Sequence, residues 1–552
     1  MRRNGTDSTA RTWVRARLVA AAVAIVTLLA GLTGAAASTG APATAAPVSA
    51  APSSSSRGLI AATRDGLVRG QAAGAASEFI GIPYAAPPVG ALRWRPPRPA
   101  APWPGVRDAT AFAPHCPQPA SPFGVASTSE NCLYLNVYTP SGFRGDLRGL
   151  PVMVWIHGGA LVTGESDDYN PAALVSHGVV VVTINYRLGA LGFLADSALA
   201  RRPGAPTGNY GLLDQQAALR WVQANIGSFG GDRRNVTIFG ESAGGLSVLS
   251  QVASPAARGL FSRAIVESGT YDLTQASLTT AEAAGQSFAA QVGCAAPTAA
   301  QTAACLRRLP VATILDNESS AGYTPDIDGR VLAQSLGTAF ASGQFNRVPV
   351  ILGTNHDEWR LFVALDQLEG GPAPTAANYQ ALISATLGVP AAAAAAIAAQ
   401  YPLSAYPSPA IALGAVGTDA IFACPALTAS TALSRYVPTY AYEFGDENAP
   451  ERFLPPIGFP YGAAHASEIQ YLFQITTNIP GALTGPQQQL AAAMQGYWTS
   501  FAGRGSPATA GQPRWPLFDA ASQQVLSLVP PQPQVETTFS AEHHCAFWAL
   551  AG

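Results

Sequence analysis

Five short runs do most to limit what this chain can fold into. They are Val152-Met-Val-Trp-Ile156, Val179-Val-Val-Val-Thr-Ile184, Val236-Thr-Ile-Phe239, Ala264-Ile-Val266 and Val348-Pro-Val-Ile-Leu352. All are rich in β-branched residues, nearly unbroken in hydrophobicity, and mostly bounded by Gly or Asn. A strand wetted on one face alternates apolar with polar; an unbroken run is covered on both faces, as in a parallel sheet. Between the runs lie helical patterns, clearest in Tyr210-Gly-Leu-Leu-Asp-Gln-Gln-Ala-Ala-Leu-Arg-Trp-Val-Gln. Alternating strands and helices predict an α/β fold with a mostly parallel central sheet and helices on both faces. From about residue 365 to 460 strand signal is weak and Ala and Pro are frequent, which predicts that part of this region is a helical insertion over the sheet. Hydrophobic residues at 48% against 12% charged fit a globular chain. No linker divides it after Gly58, so residues 58–552 read as one large domain.

All 31 basic residues are Arg. Without Lys there is no P-loop, no Schiff-base lysine and no Ser-Lys dyad. The formal net charge of −2 argues against a nucleic-acid surface. Residues 1–37 hold five of the Arg and one acid: a basic segment ending at Arg17, an apolar run from Leu18, and the small-residue exit Ala35-Ala-Ala37. This is the pattern of a cleaved signal peptide, followed by an Ala/Pro/Ser-rich disordered spacer at 38–57. A retained anchor is the competing reading of the apolar run. No later stretch reads as a membrane span, so the expected product is secreted, with no membrane contact after cleavage. An exported chain may form disulfides, and six Cys with no C-x-x-C spacing suggest three bridges.

Gly240-Glu-Ser242-Ala-Gly244 follows the run 236–239 directly and precedes the helical stretch Leu246-Ser-Val-Leu-Ser-Gln. In that context a G-x-S-x-G pentad is a nucleophile elbow, where small neighbours let the chain turn and lift the Ser242 hydroxyl above the sheet. Attack on a carbonyl creates an oxyanion that needs pre-placed N–H donors. Ala243, next after the nucleophile, supplies one. The Gly-rich loop His157-Gly-Gly159-Ala160, which ends the run 152–156, fits the rest. Chain order in this architecture is Ser, acid, His, leaving His356, His465, His543 and His544. His356 stands where the acid belongs and the last two lie near the C-terminus, so His465, flanked by small residues, is the expected base. An acid is offered by Thr354-Asn-His-Asp357-Glu358, past a strand end, with Asp357 and Glu358 both able to hold an imidazole. His465 and Glu468 form an H-x-x-E pair, but no second ligand cluster accompanies it, so no metal site is expected.

Beyond these residues stand Gly81-Ile-Pro-Tyr-Ala-Ala-Pro-Pro-Val-Gly, Ser129-Glu-Asn-Cys-Leu-Tyr-Leu-Asn-Val, Asn185-Tyr-Arg-Leu-Gly, Phe229-Gly-Gly-Asp and Phe239-Gly-Glu-Ser-Ala-Gly-Gly. With them the chain, from about residue 58 to 552, resembles the type-B carboxylesterases, the carboxylesterase/cholinesterase group of α/β-hydrolases. The resemblance implies a triad of Ser242, Glu358 and His465, which selects Glu358 over Asp357. It implies oxyanion donors Gly159, Ala160 and Ala243, and an electrostatic role for Glu241. It also implies disulfides Cys116–Cys132, Cys294–Cys305 and Cys424–Cys545, and ion pairs Arg93–Glu130 and Arg187–Asp214. Two departures stand out. The 15 residues between Cys116 and Cys132 include no Trp, so the platform on which cholinesterases bind a quaternary ammonium is missing. Trp359 follows Glu358 where many relatives carry Gly.

The expected function is hydrolysis of small carboxylic esters through an acyl-enzyme on Ser242, with no metal or cofactor and no nucleic-acid partner. The same triad would serve carbamates, lactones, thioesters, amides or acyl transfer. A catalytically dead binding homologue would have lost a triad member, and all three are present.

Overall fold

The computed structural model describes residues 59–551 apart from 143–148, 201, 203–204, 319–322 and 477–478. The expected leader and spacer, 1–37 and 38–57, lie outside the described residues.

Thirteen strands form one sheet among the described residues. In chain order they are β1 (Leu59–Ala62), β2 (Leu67–Ala73), β3 (Ala76–Pro83), β4 (Val106–Asp108), β5 (Tyr134–Pro140), β6 (Leu150–Ile156) and β7 (Val180–Ile184). Then come β8 (Gly231–Glu241), β9 (Arg263–Glu267), β10 (Val350–Asn355), β11 (Thr439–Phe444), β12 (Val525–Leu528) and β13 (Gln534–Glu536). The spatial order is β1-β2-β3-β5-β7-β6-β8-β9-β10-β11-β12-β13, with β4 on β2. Every pairing from β7 across to β12 is parallel. Antiparallel strands flank this centre on both sides.

Strand side chains alternate between two cores, which is why the runs lack polar positions. Val152, Val154, Ile156, Val236 and Ile238 face one core, where α1 (Tyr210–Asn225) and α2 (Ala243–Ala253) contribute Leu219 and Val248. Met153, Trp155, Phe239, Ile265 and Ile351 face the other. There they meet Met494, Trp498 and Phe501 of a 20-residue helix, Gly485–Arg504. Each fully buried side chain of this kind contributes about 1.5–3 kcal/mol. The α/β-hydrolase architecture expected from the sequence is thus the one observed.

Part of this region does form a helical insertion. Helices α3 (Arg360–Leu368), α4 (Tyr379–Leu387), α5 (Ala391–Gln400) and α6 (Pro409–Gly417) pack on a third core around Trp359, Phe362 and Phe422, while α7 (Cys424–Ser434) packs on the first core through Ala426, Ala429 and Leu433. Residues 439–444, in the same region of weak strand signal, return to the sheet as β11, with all six residues buried. Pro409–Ser434, joined through a π-helical turn at Thr418–Ala423, also corrects the expectation of no further apolar span. By length and composition it could cross a membrane, yet it is 83% buried inside the protein.

All three disulfides pair as the resemblance implied: Cys116–Cys132, Cys294–Cys305 and Cys424–Cys545. Both implied ion pairs form, Arg93 with Glu130 at 2.5 Å and Arg187 with Asp214 at 2.7 Å.

Candidate active site

Ser242 stands between the end of β8 and the start of α2 at φ +56°, ψ −121°, backbone that a residue with a Cβ seldom adopts. Two hydrogen bonds pin it: its N–H donates to Glu267 O (2.9 Å), and its carbonyl accepts from Leu246 N–H (2.8 Å). The turn passes so close to β6 that a Cβ on Gly244 would lie 1.9 Å from Ile156 O. The small residue demanded by the motif therefore has a specific neighbour.

The other predicted residues reach the same place from the carboxyl ends of neighbouring strands, where open α/β sheets gather their ligand loops. Glu358 follows β10 and His465 lies in the loop after β11. Nδ1 of His465 is 2.5 Å from Oε2 of Glu358. Oε1 of the same carboxylate accepts from Thr354 Oγ1 (2.7 Å) and from the Asn355 N–H (2.8 Å), fixing its orientation. Both side chains are buried, and on its open side His465 Nε2 faces Glu241 Oε1 at 3.2 Å. Asp357 points elsewhere: it pairs with Arg360 (2.8 Å) and accepts from the Ala463 N–H (3.0 Å), bracing the histidine loop.

Ser242, His465, Gly159 and Ala160 all line one cavity of about 70 Å³, walled by Phe123, Tyr271, Phe362 and Leu365 among others. The rings of Phe362 and Phe422 each lie 5.1 Å from the His465 ring. Among the described residues the N–H groups of Gly159, Ala160 and Ala243 have no acceptor, so they remain available as donors.

Behind Ser242 stand four buried glutamates, Glu241, Glu267, Glu358 and Glu468. Burial, only partly countered by His465, pushes Glu241 well above the usual carboxylate range. Burial and Glu468 push Glu267 to about 8, and burial and Glu358 push Glu468 to about 7. Burial alone would lower His465, but Glu241, Glu358 and Glu468 outweigh it and hold the imidazole at about 9. Glu267 is tied by Trp498 Nε1–H (2.9 Å), and Glu468 by Asn355 Nδ2–H (2.5 Å). Asn355 also donates to Ala464 O (2.8 Å), so it joins the acid-bearing strand end to the histidine loop. Glu267 and Asn355 escaped the sequence reading; their only signal was position, each at the end of a hydrophobic run beside the site.

Three other histidines are engaged elsewhere. His543 is clamped between Asp419 (2.6 Å) and Glu443 (2.5 Å), His356 pairs with Asp357, and His115 with Asp167, both at 3.0 Å. Among the described residues, Glu443, Glu536 and Glu542 come together as metal ligands might, but none of them lines the Ser242 cavity.

Comparison with known proteins shows the family. The sequence profile of the carboxylesterase family matches residues 57–548. The chain is 37% identical over 468 residues to an acylcarnitine hydrolase of Mus musculus, covering 81% of this chain and 82% of the relative. It is 36% identical over 479 residues to a fumonisin B1 esterase of Sphingopyxis macrogoltabida, covering 84% and 85%. A para-nitrobenzyl esterase of Bacillus subtilis (strain 168) is 35% identical over 491 residues, covering 85% and 94%. A parallel sheet carrying Ser, Glu and His loops at one edge, matched over almost its whole described length, makes this chain a member of the carboxylesterase family.

Proposed function

We propose that the protein is an exported serine esterase that cleaves small carboxylic esters through an acyl-enzyme on Ser242. The observation that carries this reading is that Ser242 and His465 line one largely apolar cavity while Glu358, behind it, holds the far side of the imidazole. Nε2 of His465 takes the Ser242 proton as Oγ bonds to the ester carbonyl carbon. The N–H groups of Gly159, Ala160 and Ala243 hold the oxyanion. The carbon–oxygen bond to the alcohol breaks, and the alcohol leaves with the proton from Nε2. A water then gives a proton to Nε2 and adds to the acyl carbon. The bond to Ser242 breaks, Oγ recovers the proton and the acid departs. Glu358 holds the imidazole and balances its charge. Every group in this sequence is a protein side chain, backbone N–H or water.

The tight cavity favours short acyl groups: about 70 Å³ is half the roughly 150 Å³ that accommodates benzene in an engineered apolar cavity. Export is supported by the basic-apolar-small leader at 1–37 and by three disulfides, which persist in oxidising compartments. In this reading 38–57 is a spacer and 58–552 the catalytic domain. The decisive experiment replaces Ser242 by Ala in folded protein and follows p-nitrophenyl acetate. Turnover should vanish along with fluorophosphonate labelling; retained turnover would overturn the assignment.

A further inference from the structure

The turn carrying Gly159 and Ala160 adopts an unfavourable backbone. Gly159, Ala160 and Leu161 stand in succession at φ +93°, +55° and +63°. Left-handed conformations in residues with a Cβ persist only where the surroundings over-determine them. Within the turn, the N–H groups of Val162 (3.0 Å) and Thr163 (2.9 Å) both donate to Gly159 O. Gly189 N–H also donates to Leu161 O (2.7 Å), and a further restraint comes from a distant part of the chain, the loop closed by Cys116–Cys132.

Gln118, 1% exposed and two residues beyond Cys116, spends its whole amide on the segment that follows the turn. Its Oε1 accepts from Thr163 Oγ1 and from the Gly164 N–H, both at 2.7 Å. Its Nε2 donates to Gly164 O and to Glu165 Oε2, both at 3.1 Å. The loop is shaped around this contact. Gln118 and Ser127 exchange backbone hydrogen bonds across it, and Ser121 Oγ lies 2.8 Å from Thr163 Oγ1. A Cβ on Gly124 would lie 2.4 Å from Gln118 Oε1 and 2.5 Å from Thr163 Oγ1, so glycine leaves the space this amide needs. The loop that lacks an aromatic cation platform thus has another task.

We propose that Gln118 is the positioning residue of the oxyanion hole: by locking Thr163 and Gly164 to the disulfide loop it fixes where the N–H groups of Gly159 and Ala160 point. This rests on the assignment of those N–H groups as oxyanion donors. Donors accelerate acyl transfer only when held in place before charge develops, so their support contributes to kcat rather than to ground-state binding.

The test uses the full disulfide-bonded protein with Gln118→Ala and Gln118→Met, the latter keeping the length and bulk of the side chain but none of its four hydrogen bonds. In Gln118→Ala, kcat for p-nitrophenyl acetate should fall roughly 10- to 100-fold, with KM within about twofold of the parent. Affinity for an alkylboronic acid, whose serine adduct is tetrahedral, should fall by a similar factor. Prolonged fluorophosphonate treatment should still label one serine per chain, showing an intact fold. Gln118→Met should lose kcat and boronate affinity as Gln118→Ala does, and it decides the matter if Gln118→Ala does not fold. Unchanged kcat and boronate affinity, or a change confined to KM, would overturn the proposal. Failure of the Ser242 reading would show separately, as turnover surviving Ser242→Ala.

Discussion

Nδ1 of His465 lies 2.5 Å from Oε2 of Glu358, while Asp357, the adjacent acid, turns away to Arg360 and the Ala463 N–H. Two neighbouring carboxylates are therefore divided between holding the imidazole and holding its loop. Glu358→Gln should cut kcat on p-nitrophenyl acetate by about 10³–10⁴. Asp357→Asn keeps the Glu358 contact and should cost far less in kcat, with its main effect on thermal stability. Steady-state kinetics and melting curves of the two variants check this; equal losses in kcat would contradict the division.

The carboxylates around His465 hold its imidazole at about 9, above the usual 6.5. A general base must be unprotonated, so kcat/KM for an uncharged ester should climb with pH through a midpoint well above 6.5. Glu468, at about 7, is ionised over most of that range and favours the imidazolium. Glu468→Gln removes that charge and should move the midpoint to lower pH. A pH–rate profile of each enzyme gives the answer.

His543 is buried between Asp419 and Glu443. Burial would lower it, but the two carboxylates hold it well above 6.5. A group raised on folding stabilises fully below its unfolded value of about 6.5, and the contribution is lost as pH rises through the higher folded value. Stability of the parent should therefore decline on the alkaline side. His543→Gln leaves two buried acids without their cation, a loss of about 3–5 kcal/mol, and should flatten the alkaline decline. Urea melts at pH 6, 8 and 9 would show both effects.

Cys424–Cys545 spans 121 residues of sequence and Cys294–Cys305 spans 11. On the chain-entropy account the first bridge is worth about 5 kcal/mol and the second about 3. Replacing each pair by Ser should lower the melting temperature more for 424/545 than for 294/305. Calorimetry of the two double variants measures the order directly.

The wall made by Phe362 should limit acyl length. Rates across acetyl, butyryl, hexanoyl and octanoyl p-nitrophenyl esters should peak at the short end. Phe362→Ala should shift the optimum to longer chains, because the ring lines the cavity of about 70 Å³ beside Ser242. An unchanged profile in the variant would place the limit elsewhere.

Five central strands were legible because apolar side chains on both faces write themselves as runs such as 179–184. β11 was not, because Tyr440, Tyr442 and Phe444 alternate with Ala441 and the charged Glu443, which reads as a wetted strand or a loop. Glu443 is nonetheless buried, and the partner that permits it, His543, arrives from 100 residues away. The elbow could be read locally because a single turn imposes its constraints. Choosing Glu358 over Asp357 could not, since adjacent acids differ only in where the folded loop points them. The grip of Gln118 on the oxyanion turn depends on a fold that no spacing encodes.

The order of strands has a consequence for when the enzyme first becomes active. β8, which bears Ser242, is early in the chain, but the acid strand β10 is flanked by β11, and β11 by β12 at residues 525–528. The histidine loop, in turn, packs against the long helix Gly485–Arg504. A nascent chain that has already emerged past its nucleophile still lacks the neighbours that assemble the other two groups. On the proposed triad, hydrolytic capacity would wait for the end of synthesis, and a chain cut short in its last quarter would carry Ser242 without the assembled groups proposed to activate it.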